Sequence, residues 1–323
     1  MTDMKAAILN QYGGIEHVAL QDVDVPEIGP NEVLVRVTSA SVNPLDLKLI
    51  HGYLKDFFPI PIPYPLGTDL FGTVVKAGSL VANWKPSDQV IGRLEPVPGP
   101  GRALKSRGGA FAEYVAMPVH QLASAPKGAK EGAGLPTAAG TAWQALFEIG
   151  GVEEGWEILI HAGAGGVGSF AIQLAKRAGA RIMATASAGR LDLLARLGAD
   201  EPVDYKETNF SRLAGKFDFV LDTIGGDTHA ISFPLLRPGG KLVSIVHPPD
   251  EQLAKQHQVA AYWLAHTFDG ARLAALSKLC ADGTISVQVD SVFPLTEIHE
   301  ALSRSATGRA AGKIIVNVDT AQG

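Results

Sequence analysis

Apolar and polar positions follow two different rhythms along the chain. Up to about residue 124, short runs of β-branched and apolar residues recur at 5–9, 32–41, 70–77, 89–92 and 110–116. Turn signals separate them, among them Gly13-Gly14, Gly29-Pro30-Asn31 and Gly99-Pro100-Gly101. Val33, Val35 and Val37 alternate with Leu34, Arg36 and Thr38, which predicts a half-buried strand. Many short strands with Gly/Pro turns imply a barrel or sandwich. The stretch FFPIPIPYP at 57–65 carries four prolines in nine residues and predicts an extended loop.

From about residue 133 the rhythm changes. A helical pattern spans 138–149 and stops at Gly150-Gly151. Strand and helix signals then alternate over 156–162, 167–178, 181–185, 190–197, 217–222, 230–236 and 241–246, with 262–266 closing the series. Such alternation predicts a parallel sheet covered by helices on both faces. An amphipathic helix at 269–281 and strands at 285–289 and 313–318 return to the first domain. The expected organisation is a discontinuous β-rich domain, 1–124 and 265–323, into which a Rossmann-type domain, 125–264, is inserted.

The segment WEILIHAGAGGVGSFAIQLAKRAGARIMA, residues 156–184, places the spacing Gly163-x-Gly165-x-x-Gly168 between a predicted strand and a predicted helix. In that context the motif predicts a dinucleotide site. Gly163 is expected to permit the tight turn, Gly165 to admit a pyrophosphate, and Gly168 to allow close helix–strand packing. Gly166 and Val167 complete the turn at the helix N-terminus, whose free amides favour phosphate.

Composition narrows the partners. The chain has 323 residues, 46% of them hydrophobic and 19% charged, as expected of a globular protein with two domains. Lys and Arg number 28 against 33 Asp and Glu, a net charge of −5 without a basic block, so nucleic acid is not an expected partner. One cysteine, Cys280, excludes an internal disulfide framework and a cysteine-rich zinc cluster. No signal peptide and no apolar window long enough for a membrane span are visible, and the expected location is cytoplasmic.

Six stretches resemble the medium-chain dehydrogenase/reductase superfamily, in its zinc-free quinone oxidoreductase branch. They are SVNPLDLK (41–48), PLGTDLFGTV (65–74), GGAFAEYV (108–115), AGTAWQA (139–145), the glycine turn, and GKIIV (312–316). The resemblance runs nearly the whole length and keeps the family's order. It implies an α/β protein with a GroES-like catalytic domain and a Rossmann domain, reduced nicotinamide as hydride donor, and a homodimer. Zinc-dependent relatives place a cysteine at the position of Asn43 and Gly-His-Glu where this chain has Gly67-Thr68-Asp69. Asn and Thr do not replace thiolate and imidazole, so no metal is expected. What remains is hydride transfer to a quinone or to a C=C bond conjugated to a carbonyl.

The second strand of an NAD-preferring Rossmann domain ends near an acidic residue that binds the ribose 2′-hydroxyl. Here it ends Ala184-Thr-Ala-Ser187-Ala-Gly-Arg190, with no carboxylate before Asp192. Ser187 and Arg190 are suited to a 2′-phosphate, and the resemblance adds Tyr205, so NADPH is the expected cofactor. Asp222, Thr223 and Ile224 lie at the end of one predicted parallel strand, Ser244 and Val246 at the end of the next, where such sheets bind ligands. Thr141 resembles the family's nicotinamide-side threonine. Asn43, in the family, faces nicotinamide and substrate; read alone, Asn43-Pro44 is also a turn signal. Tyr53 and Tyr64 flank the proline-rich loop as candidate proton or hydrogen-bond donors. Two other readings are a low-turnover NADPH-binding protein, structural or RNA-associated, and a zinc alcohol dehydrogenase.

Overall fold

The computed structural model describes residues 3–56, 59–95, 109–126 and 130–319. The Gly99–Gly101 turn, the first two residues of the proline-rich stretch and Gly108 lie outside them. Contacts divide the chain into two units: residues 1–137, 268–282 and 289–323, and residues 138–267 with 283–288.

In the first unit β1 (Asp3–Leu9), β2 (Val18–Asp24), β3 (Glu32–Val42), α1 (Pro44–Ile50), β4 (Tyr64–Pro65), β5 (Asp69–Ala77), β6 (Gln89–Arg93), β7 (Tyr114–Pro118) and β8 (Leu122–Ser124) follow in order. After α2 (Pro136–Trp143) the second unit contains β9 (Glu157–Ile160), α3 (Gly166–Arg177), β10 (Arg181–Ala186), α4 (Leu191–Leu197), β11 (Glu201–Asp204) and β12 (Phe217–Asp222). It continues through α5 (Gly226–Ser232), β13 (Leu236–Ser244), α6 (Glu251–His257) and β14 (Ala260–Trp263). The chain ends with α7 (Gly270–Ala281), β15 (Val289–Pro294), α8 (Ile298–Ala306) and β16 (Lys313–Asn317) in the first unit.

The first unit holds a three-stranded sheet, β2-β1-β4, and a seven-stranded one ordered β15-β16-β3-β5-β6-β8 with β7 also on β3. Along β3 the predicted alternation is present: Val33, Val35 and Val37 are buried, Arg36 exposed, Leu34 and Thr38 half-buried. These valines pack with Leu70, Phe111, Met117, Leu302 and Val316 in the main core. The pairing of β16 on β3 brings Ile314 opposite Val42, so the first residue of β16, Lys313, arrives beside the end of β3 and Asn43. That register places the C-terminal strand at the unit's polar cluster.

Several elements depart from the sequence expectation. Asn43-Pro44 opens a helix instead of a plain turn, because proline is well suited to the first helical position. The strand expected at 110–116 begins at Tyr114, with Ala112 making an isolated bridge to Ala6. The strand expected at 285–289 begins at Val289. The short β2 and the nine-residue α8 carry too little periodicity to stand out; α8 buries Ile298, Ala301 and Leu302 on one face.

The domain limits also move, from 124/125 to 137/138 and from 264/265 to 267/268. Side-chain bonds accompany each limit. Ser39 Oγ donates to Lys130 O at 2.5 Å and Thr137 Oγ1 to Asp69 Oδ1 at 2.6 Å, retaining this stretch in the first unit. Gln144 Nε2 donates to Thr267 Oγ1 at 3.0 Å, and Ser286 N donates to Gln173 Oε1 at 2.8 Å, tying 265–267 and 283–288 to the second.

The second unit is one parallel sheet ordered β11-β10-β9-β12-β13-β14. Its central strands are buried at Ile158, Leu159, Ile160, Val220, Leu221, Leu242 and Val243, as expected of a sheet covered on both faces. The order reverses between β9 and β12, and ligands of such sheets bind outside the carboxyl ends at that point.

One ion pair links the elements of the β15–α8–β16 crossover. Arg304 Nη2 donates to Asp290 Oδ1 at 2.6 Å and Arg304 Nε to Oδ2 at 2.8 Å, while Ala311 N donates to Oδ1 at 2.6 Å. Burial opposes the charge on Asp290, but the Arg304 guanidinium and the Ala311 amide hold its carboxyl down at about 2. The stabilisation is therefore complete above the ordinary carboxylate range and is lost as pH falls through about 2. Asp290→Asn is expected to destabilise the protein by about 2 kcal/mol at neutral pH and much less at pH about 2, read by denaturant unfolding.

Candidate active site

The glycine turn joins β9 to α3 at the reversal of strand order. Three contacts fix it: Gly163 N donates to Thr185 O at 2.8 Å, Ala162 N to Thr185 Oγ1 at 3.1 Å, and Gly165 N to Ala162 O at 2.9 Å. The left-handed residue of the turn is Ala162, φ 48°, not Gly163. Gly163 serves packing instead: a Cβ there would lie 2.9 Å from Ile172 Cδ1 and 3.0 Å from Ala184 Cβ. At Gly168 a Cβ would lie 2.4 Å from Ala162 O, so the first turn of α3 can approach the loop only without a side chain. A Cβ on Gly165 would meet, among the described residues, only Ala162 O at 3.2 Å within 4 Å, which leaves room for a ligand. Gly166, Val167 and Gly168 occupy the first turn of α3, where helix geometry gives their amides no partner. This donor set fits a pyrophosphate.

Parallel pairing of β10 with β11 brings Ala186 opposite Asp204, and Tyr205 N donates to Ala186 O at 3.2 Å. Ser187, Arg190 and Tyr205 therefore gather at the carboxyl ends of these two strands. Ser187 and Arg190 are half-buried, Tyr205 is 51% exposed, and the Lys206 ammonium lies 6.0 Å from the Tyr205 ring centre. An anionic group at this edge would meet a hydroxyl, a guanidinium, a phenol and a second cation.

Asp222 ends β12 fully buried. Its Oδ1 accepts from Ile224 N at 2.9 Å and Gly225 N at 2.8 Å, and His229 Nδ1 lies 2.7 Å from Oδ2. Burial opposes ionisation, yet these three donors hold the Asp222 carboxyl below its ordinary range. The carboxylate is thus committed to the shape of the Thr223–Gly225 loop. Thr223 Oγ1 donates to His161 O at 2.9 Å, tying it to the end of the neighbouring β9, and Ser244 Oγ accepts from Val246 N at 3.3 Å within its own strand end. Thr141 is buried on α2.

His161 and His229 carry no role in the sequence pattern. The Ser232 hydroxyl donates to Thr228 O at 2.6 Å, so it accepts from His161 Nε2 at 3.0 Å and fixes that tautomer. Burial lowers the His161 imidazole to about 4, with the Asp222 charge acting in the opposite sense. His229 packs edge-on against His247, ring centres 4.7 Å apart. A histidine at the end of an apolar strand run was the available signal for His161.

In the first unit the candidate residues separate. Asn43 is 2% exposed and Tyr64 6%, whereas Tyr53 is 72% exposed and stacks on His51 at 5.2 Å. Around Asn43 lies a buried polar cluster that the motifs contain but did not assign. Lys313 Nζ donates to Asn43 Oδ1 at 2.6 Å and to Val42 O at 3.3 Å. Asn43 Nδ2 donates to Asp69 Oδ2 at 3.0 Å, with longer contacts to Ser41 O at 3.3 Å and Thr68 Oγ1 at 3.4 Å. Thr137 donates to Asp69 through Oγ1 at 2.6 Å and N at 3.1 Å, and Arg93 Nε reaches Thr137 Oγ1 at 3.0 Å. Arg93 also pairs with Glu95. Asp46 Oδ2 accepts Asn43 N–H at 2.7 Å, while its Oδ1 has no partner among the described residues.

Burial raises Asp46 to about 7; the Asn43 amide lowers it, Asp69 adds to the rise, and Lys313 and Arg93 oppose it. Burial lowers Lys313, with Asp69 and Asp46 supporting its charge. Burial, helped by Asp46, pushes the Tyr64 phenol up, so it stays a protonated donor. A divalent cation does not fit this cluster. The Asn43 carbonyl oxygen already binds an ammonium, and a metal beside it would meet like charge. Among the described residues, no three His, Cys, Asp or Glu side chains are grouped to hold a metal ion, and no helix is long and apolar enough to cross a membrane.

Comparison with known proteins matches residues 29–127 to the alcohol dehydrogenase GroES-like domain and residues 197–316 to the zinc-binding dehydrogenase family model. The chain is 34% identical over 328 residues to 2-methylene-furan-3-one reductase of Solanum lycopersicum, covering 98% of this chain and 79% of the relative. It is 35% identical to the chloroplastic NADPH-dependent alkenal/one oxidoreductase of Arabidopsis thaliana, covering 97% and 79%. The solved structure of the quinone oxidoreductase from Coxiella burnetii superposes with a TM-score of 0.86 at 32% identity, covering 98% of this chain and 99% of that one. The shared domains, the parallel sheet with its glycine turn and relatives matched over nearly all of this chain place the protein in the medium-chain dehydrogenase/reductase superfamily, in its zinc-free quinone and enone reductase branch.

Proposed function

We propose that this protein is a zinc-independent, NADPH-dependent oxidoreductase that delivers hydride to a quinone or to the C=C bond of an α,β-unsaturated carbonyl compound. The observation that carries this reading is the dinucleotide cradle of the second unit; the first unit separately holds a buried polar cluster around Asn43 and Lys313. Relatives named for alkenal/one and quinone reduction support the choice of acceptor.

In the second unit the amides of Gly166, Val167 and Gly168 hold the pyrophosphate. Gly163 and Gly165 keep side chains out of that turn. Ser187, Arg190 and Tyr205 hold the 2′-phosphate through a charge-assisted contact that NADH cannot make. Thr141, Thr223, Ile224, Ser244 and Val246 border the nicotinamide half, and Asp222 fixes the Thr223–Gly225 loop. When bound, the cofactor supplies the hydride, and the protein supplies orientation and water exclusion.

In the first unit Asn43 is the candidate donor to the acceptor's oxygen, where negative charge develops. One Nδ2 hydrogen is held by Asp69. The other faces two long contacts, to Ser41 O at 3.3 Å and Thr68 Oγ1 at 3.4 Å, and an incoming oxygen can displace them. Tyr64 and Tyr53 are the further candidate donors. The reading includes a cytoplasmic location and a homodimer. β14 ends its sheet with Tyr262 and Trp263 42% and 50% exposed, an aromatic edge suited to a second copy of the sheet.

Arg190→Ala is expected to raise KM for NADPH by at least about tenfold, through loss of a charged hydrogen bond, and to leave NADH kinetics nearly unchanged. Steady-state assays with both cofactors check this; equal kcat/KM for NADPH and NADH in the unaltered protein contradicts it. Gly168→Val is expected to abolish NADPH binding in a fluorescence titration while the first unit keeps its thermal transition.

A further inference from the structure

The buried cluster contains two titratable groups that hydride transfer does not by itself require, Lys313 and Asp46. Lys313 is 3% exposed, and its ammonium sits 2.6 Å from Asn43 Oδ1. On the other side of the same amide, Asp69 Oδ2 lies 3.0 Å from Nδ2. A cation at the oxygen and an anion at the nitrogen decide which way the amide points. A flipped amide would set N–H groups against the ammonium and the carbonyl oxygen against the carboxylate. An ammonium on the carbonyl oxygen also draws electron density from the amide and strengthens its N–H donors. The beneficiary is the second Nδ2 hydrogen, the one with two long contacts.

Asp46 touches the same residue from the backbone side, its Oδ2 accepting Asn43 N–H at 2.7 Å, and its second oxygen is buried without a partner. The charged and titratable groups that face it are Asp69 from β5, Lys313 from β16, Arg93 from β6 and Tyr64 from β4. If Asp46 is neutral, Lys313 and Asp69 balance across Asn43, and Arg93 balances Glu95. If it ionises, a buried negative charge opposes the field of Lys313 at the amide.

We propose that Lys313 is a positioning and polarising residue for Asn43, and that Asp46 controls it by being neutral in the active form and opposing it when ionised. This rests on Asn43 being the donor to the acceptor's oxygen. Four variants test it: Asn43→Ala, Lys313→Met, Lys313→Arg and Asp46→Asn. Each is assayed with NADPH and an enone across the neutral range, pH about 5.5 to 9. Asn43→Ala and Lys313→Met are expected to lower kcat by at least about tenfold with KM for NADPH within about twofold, the cost of weakening one oxyanion donor. Lys313→Arg is expected to recover most of kcat, because it restores the charge. In the unaltered protein kcat is expected to fall as pH rises through about 7, the value to which burial raises Asp46, and Asp46→Asn is expected to remove that fall.

A folded Lys313→Met protein with unaltered kcat, beside an impaired Asn43→Ala, overturns the role of Lys313 and leaves the role of Asn43 standing. Unaltered kcat in Asn43→Ala overturns both. If Lys313→Met does not fold, the Asp46→Asn profile decides: an alkaline fall that persists unchanged overturns the proposal.

Discussion

The contact on which the catalytic reading depends is the 2.6 Å bond from the Lys313 ammonium to the Asn43 amide oxygen. A buried lysine is costly unless it is paired, and a half-filled polar cluster is worse than an apolar core. The fold meets this demand from four strands. β16 brings the cation, the end of β3 the amide, β5 the Asp69 carboxylate and β6 the Arg93 guanidinium. The resulting centre carries positive charge as a fixed side chain. That matters for chemistry: a metal polarises a carbonyl directly, whereas an amide donor offers a hydrogen bond. Such a donor suits acceptors already activated by conjugation, and these are the acceptors named for the relatives.

The second unit solves a different problem, the binding of a long polyanion. Its sheet order reverses between β9 and β12, which opens the place where the glycine turn lies. The turn is held by Thr185 from β10 and by its own backbone, so protein contacts fix its geometry. The loop after β12 is preset in the same way, with Asp222 clamped by two amides and His229. Preorganisation of both walls reduces what a bound cofactor must order, and affinity benefits accordingly.

The sequence made the architecture legible because both rhythms are strong. The period-2 valines of β3 and the strand–turn–helix around Gly163 to Gly168 each carry a physical requirement that few other folds satisfy. The individual glycine roles were less legible. Ala162, not Gly163, takes the left-handed conformation, because the close contacts with Ile172 and Ala184 reserve position 163 for packing. Helix α1 was hidden by Asn43-Pro44, which reads as a turn yet also begins a helix. The contact division lies up to thirteen residues from the expected domain limits, and contacts between distant residues such as Thr137 and Asp69 are not readable from local pattern. The polar cluster was invisible for the same reason: Asn43, Asp69, Arg93 and Lys313 are far apart in sequence and meet only through strand register. The Asp222–His229 pair is closer in sequence, but nothing in the spacing shows that the carboxylate would face inward.

The central claim is metal-independent hydride transfer from NADPH to a conjugated acceptor, and isotope transfer tests it most directly. Enzyme exhaustively treated with chelator would be supplied with NADPH deuterated at the reactive C4 position and a simple enone, and the product examined by mass spectrometry and NMR. The account predicts a saturated carbonyl product with a single deuterium on the β-carbon, formed at the rate of untreated enzyme. Loss of activity on chelation with recovery on added zinc, or deuterium on the carbonyl carbon of an alcohol product, would contradict it.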